Sequence, residues 1–247
     1  MNKNGPDIFV GCSGWSYKHW KDRFYPEDLS PKNWFEFYSE TFDTVEINYS
    51  FYQLPQEKTF EGWARKAKEG FVYSVKASRY ITHVRRLKNV DEPVDNLLKR
   101  ARLLDVHLGP ILYQLPPKFD CDPERFENFL RLLPEDLLHV VEFRDQRWLN
   151  DEIFSLMKKY RVNHCVHDKE GLEIPWNITG PIAYVRFHGT TGEYGGNYPD
   201  HLLEKWAKWL KDEAEKHSRD IYAYFNNDWE AYAVYNAQSL RRRLVGK

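Results

Sequence analysis

The sequence predicts an α/β protein of the TIM (β/α)8 barrel class. Short β-branched or aromatic runs alternate with amphipathic segments along the whole chain, the pattern of βα units on a parallel sheet. Eight such units fit into 247 residues, close to the roughly 250 typical of the barrel. Polar residues gather at the ends of the runs, where such barrels carry their chemistry. A doubly wound open sheet is the competing architecture.

The strand runs cover residues 8–12, 44–48, 72–76, 110–114, 139–143, 163–167, 183–188 and 221–226. Helical periodicity covers 31–40, 57–68, 90–104, 123–132, 151–159, 199–217 and 231–244. Ser30-Pro31 and Asp122-Pro123 each offer an N-cap acceptor followed by a proline, whose missing N–H costs nothing in a first turn. Leu202, Leu203, Trp206 and Leu210 form one apolar stripe at helical spacing, with Trp209 off it. Residues 171–180, with Pro175 and Gly180, read as a loop, so one outer helix is expected to be missing or replaced after strand six. With no linker or change of composition, a single domain over 1–247 is expected.

Charge and composition exclude several functions. Lys plus Arg (36) almost cancel Asp plus Glu (37), so no global field draws the chain to nucleic acid or anionic lipid, and nucleic acid is not a favoured partner. No apolar run approaches the roughly 20 residues of a membrane span and the first residues lack a signal-like apolar region, which predicts a cytoplasmic protein that does not engage the membrane. Cys12, Cys121 and Cys165 lack C-x-x-C spacing, which argues against disulfides and thiolate zinc; Cys12 and Cys165 read as core. Arg241-Arg242-Arg243 reads as a solvated helix C-terminus rather than a nucleic-acid tail. Apolar stripes facing a sheet and those facing another subunit look alike, so oligomeric state is left open.

Side chains two apart on a strand share a face. Glu46 with Asn48, Glu142 with Arg144, Arg186 with His188, and Asn226 with Asp228 are therefore same-side pairs near strand ends, joined by Lys76, Arg79 and Gln114. Glu46 and Glu142 are the candidate base or nucleophile and His188 the candidate proton donor, its ordinary pKa near 6.5 suiting proton transfer. Lys76, Arg144 and Arg186 would clamp an anion such as a phosphate, carboxylate or phosphodiester. Lys76 is also a lesser candidate for Schiff-base chemistry. The competing reading is a structural ion-pair network filling the barrel. Trp15 and Tyr17, on the Gly-containing segment after strand one, are candidate substrate contacts, and Tyr49, Phe51, Tyr52, Tyr113 and Trp229 offer further faces for stacking. His83 reads as a loop cap or an acid/base group. No cofactor is called for by any motif. A divalent metal could be held by Glu46, Glu142, Asp168, His188 and Asp228, but no compact motif supports one and the neighbouring cations oppose it.

The same segments carry a family likeness. GCSGWSYKHWKDRFYP, FDTVEINYSFYQLP, FVYSVKASRYITH, LGPILYQLPPKF, VEFRDQRW, YVRFHG and YFNND, in that order, resemble the YecE-like family, domain of unknown function 72, across nearly the whole chain. The resemblance implies a TIM barrel and no activity, and it carries over no catalytic residues. The function expected from the residues is an enzyme acting on a small anionic molecule by acid/base chemistry. The alternatives are a divalent-metal phosphodiesterase or nuclease-like hydrolase and a non-catalytic metabolite-binding module. Specificity is expected to vary in 171–180 and 190–198.

Overall fold

The computed structural model describes residues 5–191 and 194–246. Its eight strands are β1 (Ile8–Ser13), β2 (Thr44–Ile47), β3 (Val72–Lys76), β4 (Leu108–Gln114), β5 (His139–Glu142), β6 (Asn163–His167), β7 (Ala183–Phe187) and β8 (Ile221–Phe225). They run in sequence order as a closed barrel, and the recorded pairings are parallel. The helices are α1 (Trp34–Thr41), α2 (Tyr49–Tyr52), α3 (Glu57–Lys66), α4 (Asp91–Ala101), α5 (Pro123–Leu130), α6 (Asp151–Lys159), α7 (Asp200–His217) and α8 (Tyr232–Val245). No helix lies between β6 and β7, as the Pro175 and Gly180 loop predicts. Among the described residues no helix is long and apolar enough to cross a membrane.

By its internal contacts the chain forms two compact units. The first comprises residues 1–46, 167–169 and 182–247, the second 47–166 and 170–181.

In the first unit, β1 pairs with β8 from Ile8↔Ile221 to Cys12↔Phe225, but with β2 only at Cys12↔Val45 and Ser13↔Glu46. A tyrosine fills the gap below that pairing. The Tyr38 hydroxyl of α1 accepts from the Cys12 N–H at 2.9 Å and donates to the Thr44 carbonyl at 2.9 Å, satisfying two buried backbone groups. Gly11 makes this insertion feasible, since a Cβ there would lie 2.4 Å from the Thr44 oxygen and 2.9 Å from the Tyr38 hydroxyl. The β1–β2 junction is thereby fixed where Ser13 and Glu46 stand side by side. On β7, Phe187 packs against Trp206 of α7 and stacks on Phe225, so the intervening Tyr184 and Arg186 take the opposite face. Trp209 stays half-buried beside Trp206, as its place off the stripe predicts. Two arginines of the basic run are ion-paired, Arg241 with Asp43 and Arg243 with Asp200 and Glu204, while Arg242 is exposed.

The second unit is organised around Trp148, which stacks on Phe143 at 5.6 Å, touches Phe126 and Phe119, and donates its indole N–H to the Phe119 carbonyl at 2.7 Å. This cluster pins the chain on both sides of Arg144. Asp122 caps α5 by accepting the Arg125 N–H at 3.0 Å. Ser30 does not cap with its side chain: its carbonyl accepts the Asn33 N–H, and a 3-10 turn precedes α1. Cys12 and Cys165 are buried, as expected of core thiols.

Candidate functional site

Each unit holds a polar cluster at the C-terminal ends of its strands.

The first unit holds a continuous array. Glu46, with no exposed surface, accepts at Oε1 from Arg186 Nε (3.2 Å), Arg186 Nη2 (2.8 Å) and the Ser13 hydroxyl, and at Oε2 from the Tyr184 hydroxyl (2.7 Å). Burying a carboxylate and a guanidinium costs several kcal/mol per ion unless their polar atoms are paired. Here four hydrogen bonds meet one carboxylate. Arg186 Nη1 lies 3.3 Å from His188 Nε2. A guanidinium has no acceptor, so His188 Nε2 accepts and the ring proton sits on Nδ1, 3.6 Å from Asp168 Oδ1. Asp168 also accepts the His188 backbone N–H at 2.8 Å and the Tyr198 hydroxyl. The His188 expected as a proton donor thus spends Nε2 as an acceptor and turns Nδ1 toward Asp168.

Asp228 leaves the strand line with helical φ/ψ of −72° and −17°. The alternation that pairs it with Asn226 breaks there. Its carbonyl accepts from His19 and from Trp20 Nε1, both at 2.8 Å, its carboxylate lies 3.2 Å from His19 Nε2, and burial pushes its pKa up against the opposing effect of His19. Asn226 is buried at the end of β8. Tyr17 folds back to donate to the Ser13 carbonyl, an approach allowed by Gly14 at φ +97°, and the Trp15 ring packs edge-on against Phe35.

The second unit holds the other cluster. Gln114 stands in register with Glu142, and Val141 with His164, so Glu142 and Cys165 share a face. Glu142 pairs with Arg144 Nε, and the Cys165 thiol donates weakly to its other oxygen at 3.9 Å. Lys76 is buried to 8% exposure, with its ammonium 4.3 Å from the Phe51 ring centre, a cation–π contact. Phe51 in turn meets the His83 ring edge-on at 5.0 Å. Burial lowers the His83 pKa to about 4, reinforced in order by Lys76, Arg79, Arg144 and Arg86. His83 is therefore neutral at pH 7 and lies in the field of four cations. Arg79 itself is exposed. Asn48 has left the strand for helical φ/ψ of −91° and −21° at the start of α2.

Tyr113 is not a stacking ring: it is fully buried against Phe129 and His139. Tyr49, Tyr52 and Trp229 are exposed, at 59%, 74% and 63%. Among the described residues no three His, Cys, Asp or Glu side chains are placed to hold a metal ion. The sequence reading passed over Tyr184, although it shares a strand face with Arg186 by simple alternation. It also missed Tyr198, which reaches Asp168 from a loop that no local pattern links to it. Residues 192–193 of the 190–198 segment lie outside the described residues.

A family profile described as "Protein of unknown function DUF72" matches residues 9–247. The chain is 26% identical over 273 residues to the UPF0759 protein YunF of Bacillus subtilis, spanning 96% of this chain and 94% of that protein. It is 29% identical over 138 residues to the UPF0759 protein YecE of Escherichia coli K12, spanning 56% of this chain and 48% of that protein. Among solved structures, a DUF72 family protein from Thermotoga maritima superposes with a TM-score of 0.87 at 26% identity, covering 96% of this chain and 99% of that one.

Proposed function

The chain belongs to the DUF72 family, and on that premise we propose that it is an enzyme that binds a small anionic molecule, phosphate- or carboxylate-bearing, at the second unit's strand ends. The observation that carries this reading is the neutral His83 imidazole among Lys76, Arg79, Arg86 and Arg144. Each of these cations acts on His83, with Glu142 offsetting the charge of Arg144, and an anion beside the ring would offset the positive field that remains. Lys76, desolvated on Phe51, is the main anion contact, and Arg79 offers a second charge from the exposed rim. Glu142 is the reacting carboxylate, the general base in this reading, with Arg144 fixing its orientation.

The Glu46, Arg186 and His188 array takes a structural role here. A carboxylate already accepting four hydrogen bonds has little capacity left for a proton, and a guanidinium held by Glu46 and His188 is a poor clamp for a second anion. Work in the cytoplasm belongs to this reading, supported by the free thiols of Cys12, Cys121 and Cys165, which a reducing compartment preserves.

The test is the titration of His83 followed by NMR in the full chain, with and without inorganic phosphate. Phosphate offsets the neighbouring positive charge and favours the protonated ring, so the His83 pKa is expected to climb from about 4 toward its ordinary value of 6.5. By linkage, phosphate binding strengthens as pH falls through that range. A His83 titration indifferent to saturating phosphate would sink the reading.

A further inference from the structure

Four of the nine large apolar side chains that are exposed among the described residues, Tyr49, Tyr52, Tyr80 and Val84, sit on two short segments following β2 and β3. Scattered exposed rings need no explanation, whereas such concentration marks a contact surface. The same two segments carry the anion cluster. Phe51, which covers Lys76, is 5.2 Å from the Tyr52 ring and 5.0 Å from His83. The Tyr52 ring, 74% exposed, is thus one ring removed from the ammonium group.

The second segment has an unusual backbone. Tyr80–Val84 is a π-helix, in which the Arg85 N–H bonds the Tyr80 carbonyl at 2.9 Å. Such turns are rare and are frequently met at functional sites. Arg86, Leu87 and Asn89 follow with φ of +47°, +63° and +52°. Residues other than glycine keep such angles only where the surrounding structure enforces them. Buried Leu87 and Ile81, with the Leu87 N–H bonded to the Ile81 carbonyl at 3.1 Å, supply that enforcement. The backbone from Tyr80 to Asn89 is therefore held in one shape.

Resting on the anion-binding reading above, we propose that the ligand of this unit is a nucleoside phosphate, its phosphate on Lys76 and Arg79 and its base stacked on Tyr52 and Tyr80. An inorganic anion or a phosphosugar would leave these exposed rings in water. A flat base covers them, and every base offers a π face for the purpose.

Calorimetric titration of the full chain with AMP, ribose 5-phosphate and inorganic phosphate tests this, alongside Tyr52→Ala and Tyr80→Ala, whose melting temperatures without ligand report on folding. Wild type is expected to bind AMP roughly 5- to 150-fold tighter than ribose 5-phosphate, the factor for one stacked base. Either substitution should shrink that ratio, and both together should bring it close to one. Equal binding of AMP and ribose 5-phosphate, or a ratio untouched by both substitutions, overturns the nucleotide assignment and leaves the anion reading standing. Absence of saturable binding by all three ligands overturns both.

Discussion

Glu46→Ala is expected to lower the melting temperature by roughly 6–20 °C, the shift for about 3–5 kcal/mol lost when one partner of a buried ion pair is removed from a protein of this size. The substitution strips the acceptor from Ser13, Tyr184 and two nitrogens of Arg186, whose guanidinium stays in a site with no exposed surface. The uncompensated charge, more than the lost attraction, sets the size of the effect. Glu46→Met combined with Arg186→Met removes both charges and fills the space with apolar atoms, so the double variant should melt above Glu46→Ala. A carboxylate held ready for chemistry behaves in the opposite way, because strained catalytic groups are often replaced with a gain in stability. Differential scanning calorimetry of the three chains separates the two cases.

Lys76→Met is expected to weaken inorganic phosphate roughly 10- to 150-fold, the factor for losing a hydrogen bond to a charged group. Methionine retains most of the aliphatic stem over Phe51, so packing changes little. Glu142→Gln should act in the opposite direction. It removes a negative charge from the same unit and frees Arg144 from its carboxylate, so phosphate should bind about fivefold tighter or more, given roughly 1 kcal/mol of repulsion between unit charges 4 Å apart in water. The same substitution removes the proposed base and abolishes turnover. Tighter binding with loss of turnover identifies a reacting carboxylate; weaker phosphate binding in Glu142→Gln would show that the carboxylate supports the anion site. The measurement is isothermal titration at low ionic strength, where exposed charges are least screened.

The fold was legible because each strand combines β-branched or aromatic residues with flanking helical periodicity. β3, β6 and α6 fall on the expected residues, and the helix absent after β6 follows from Pro175 and Gly180. Strand ends were less legible. β2 stops at Ile47 and β8 at Phe225, so Asn48 and Asp228 take helical backbone where alternation predicts extended chain. Alternation does separate Tyr113 from Gln114: Tyr113 lies in register with Val141 and packs on α5, away from the face of Gln114 and Glu142, so the two cannot both line one site. Which charges neutralise one another depends on register between strands far apart in sequence. Glu46 meets Tyr184 and Arg186 about 140 residues away, whereas Glu142 meets Arg144 two residues on, and only the second is visible in a local pattern.

The central claim is that the charges at the strand ends divide into a self-satisfied array around Glu46 and an anion site around Lys76. A crystal structure determined with inorganic phosphate present tests it most directly. The account predicts tetrahedral density in contact with Lys76 Nζ, near Arg79 or Arg144, while Glu46 keeps its bonds to Ser13, Tyr184 and Arg186. Phosphate bound to Arg186 with Glu46 displaced, or an empty Lys76 site at saturating phosphate, would contradict it.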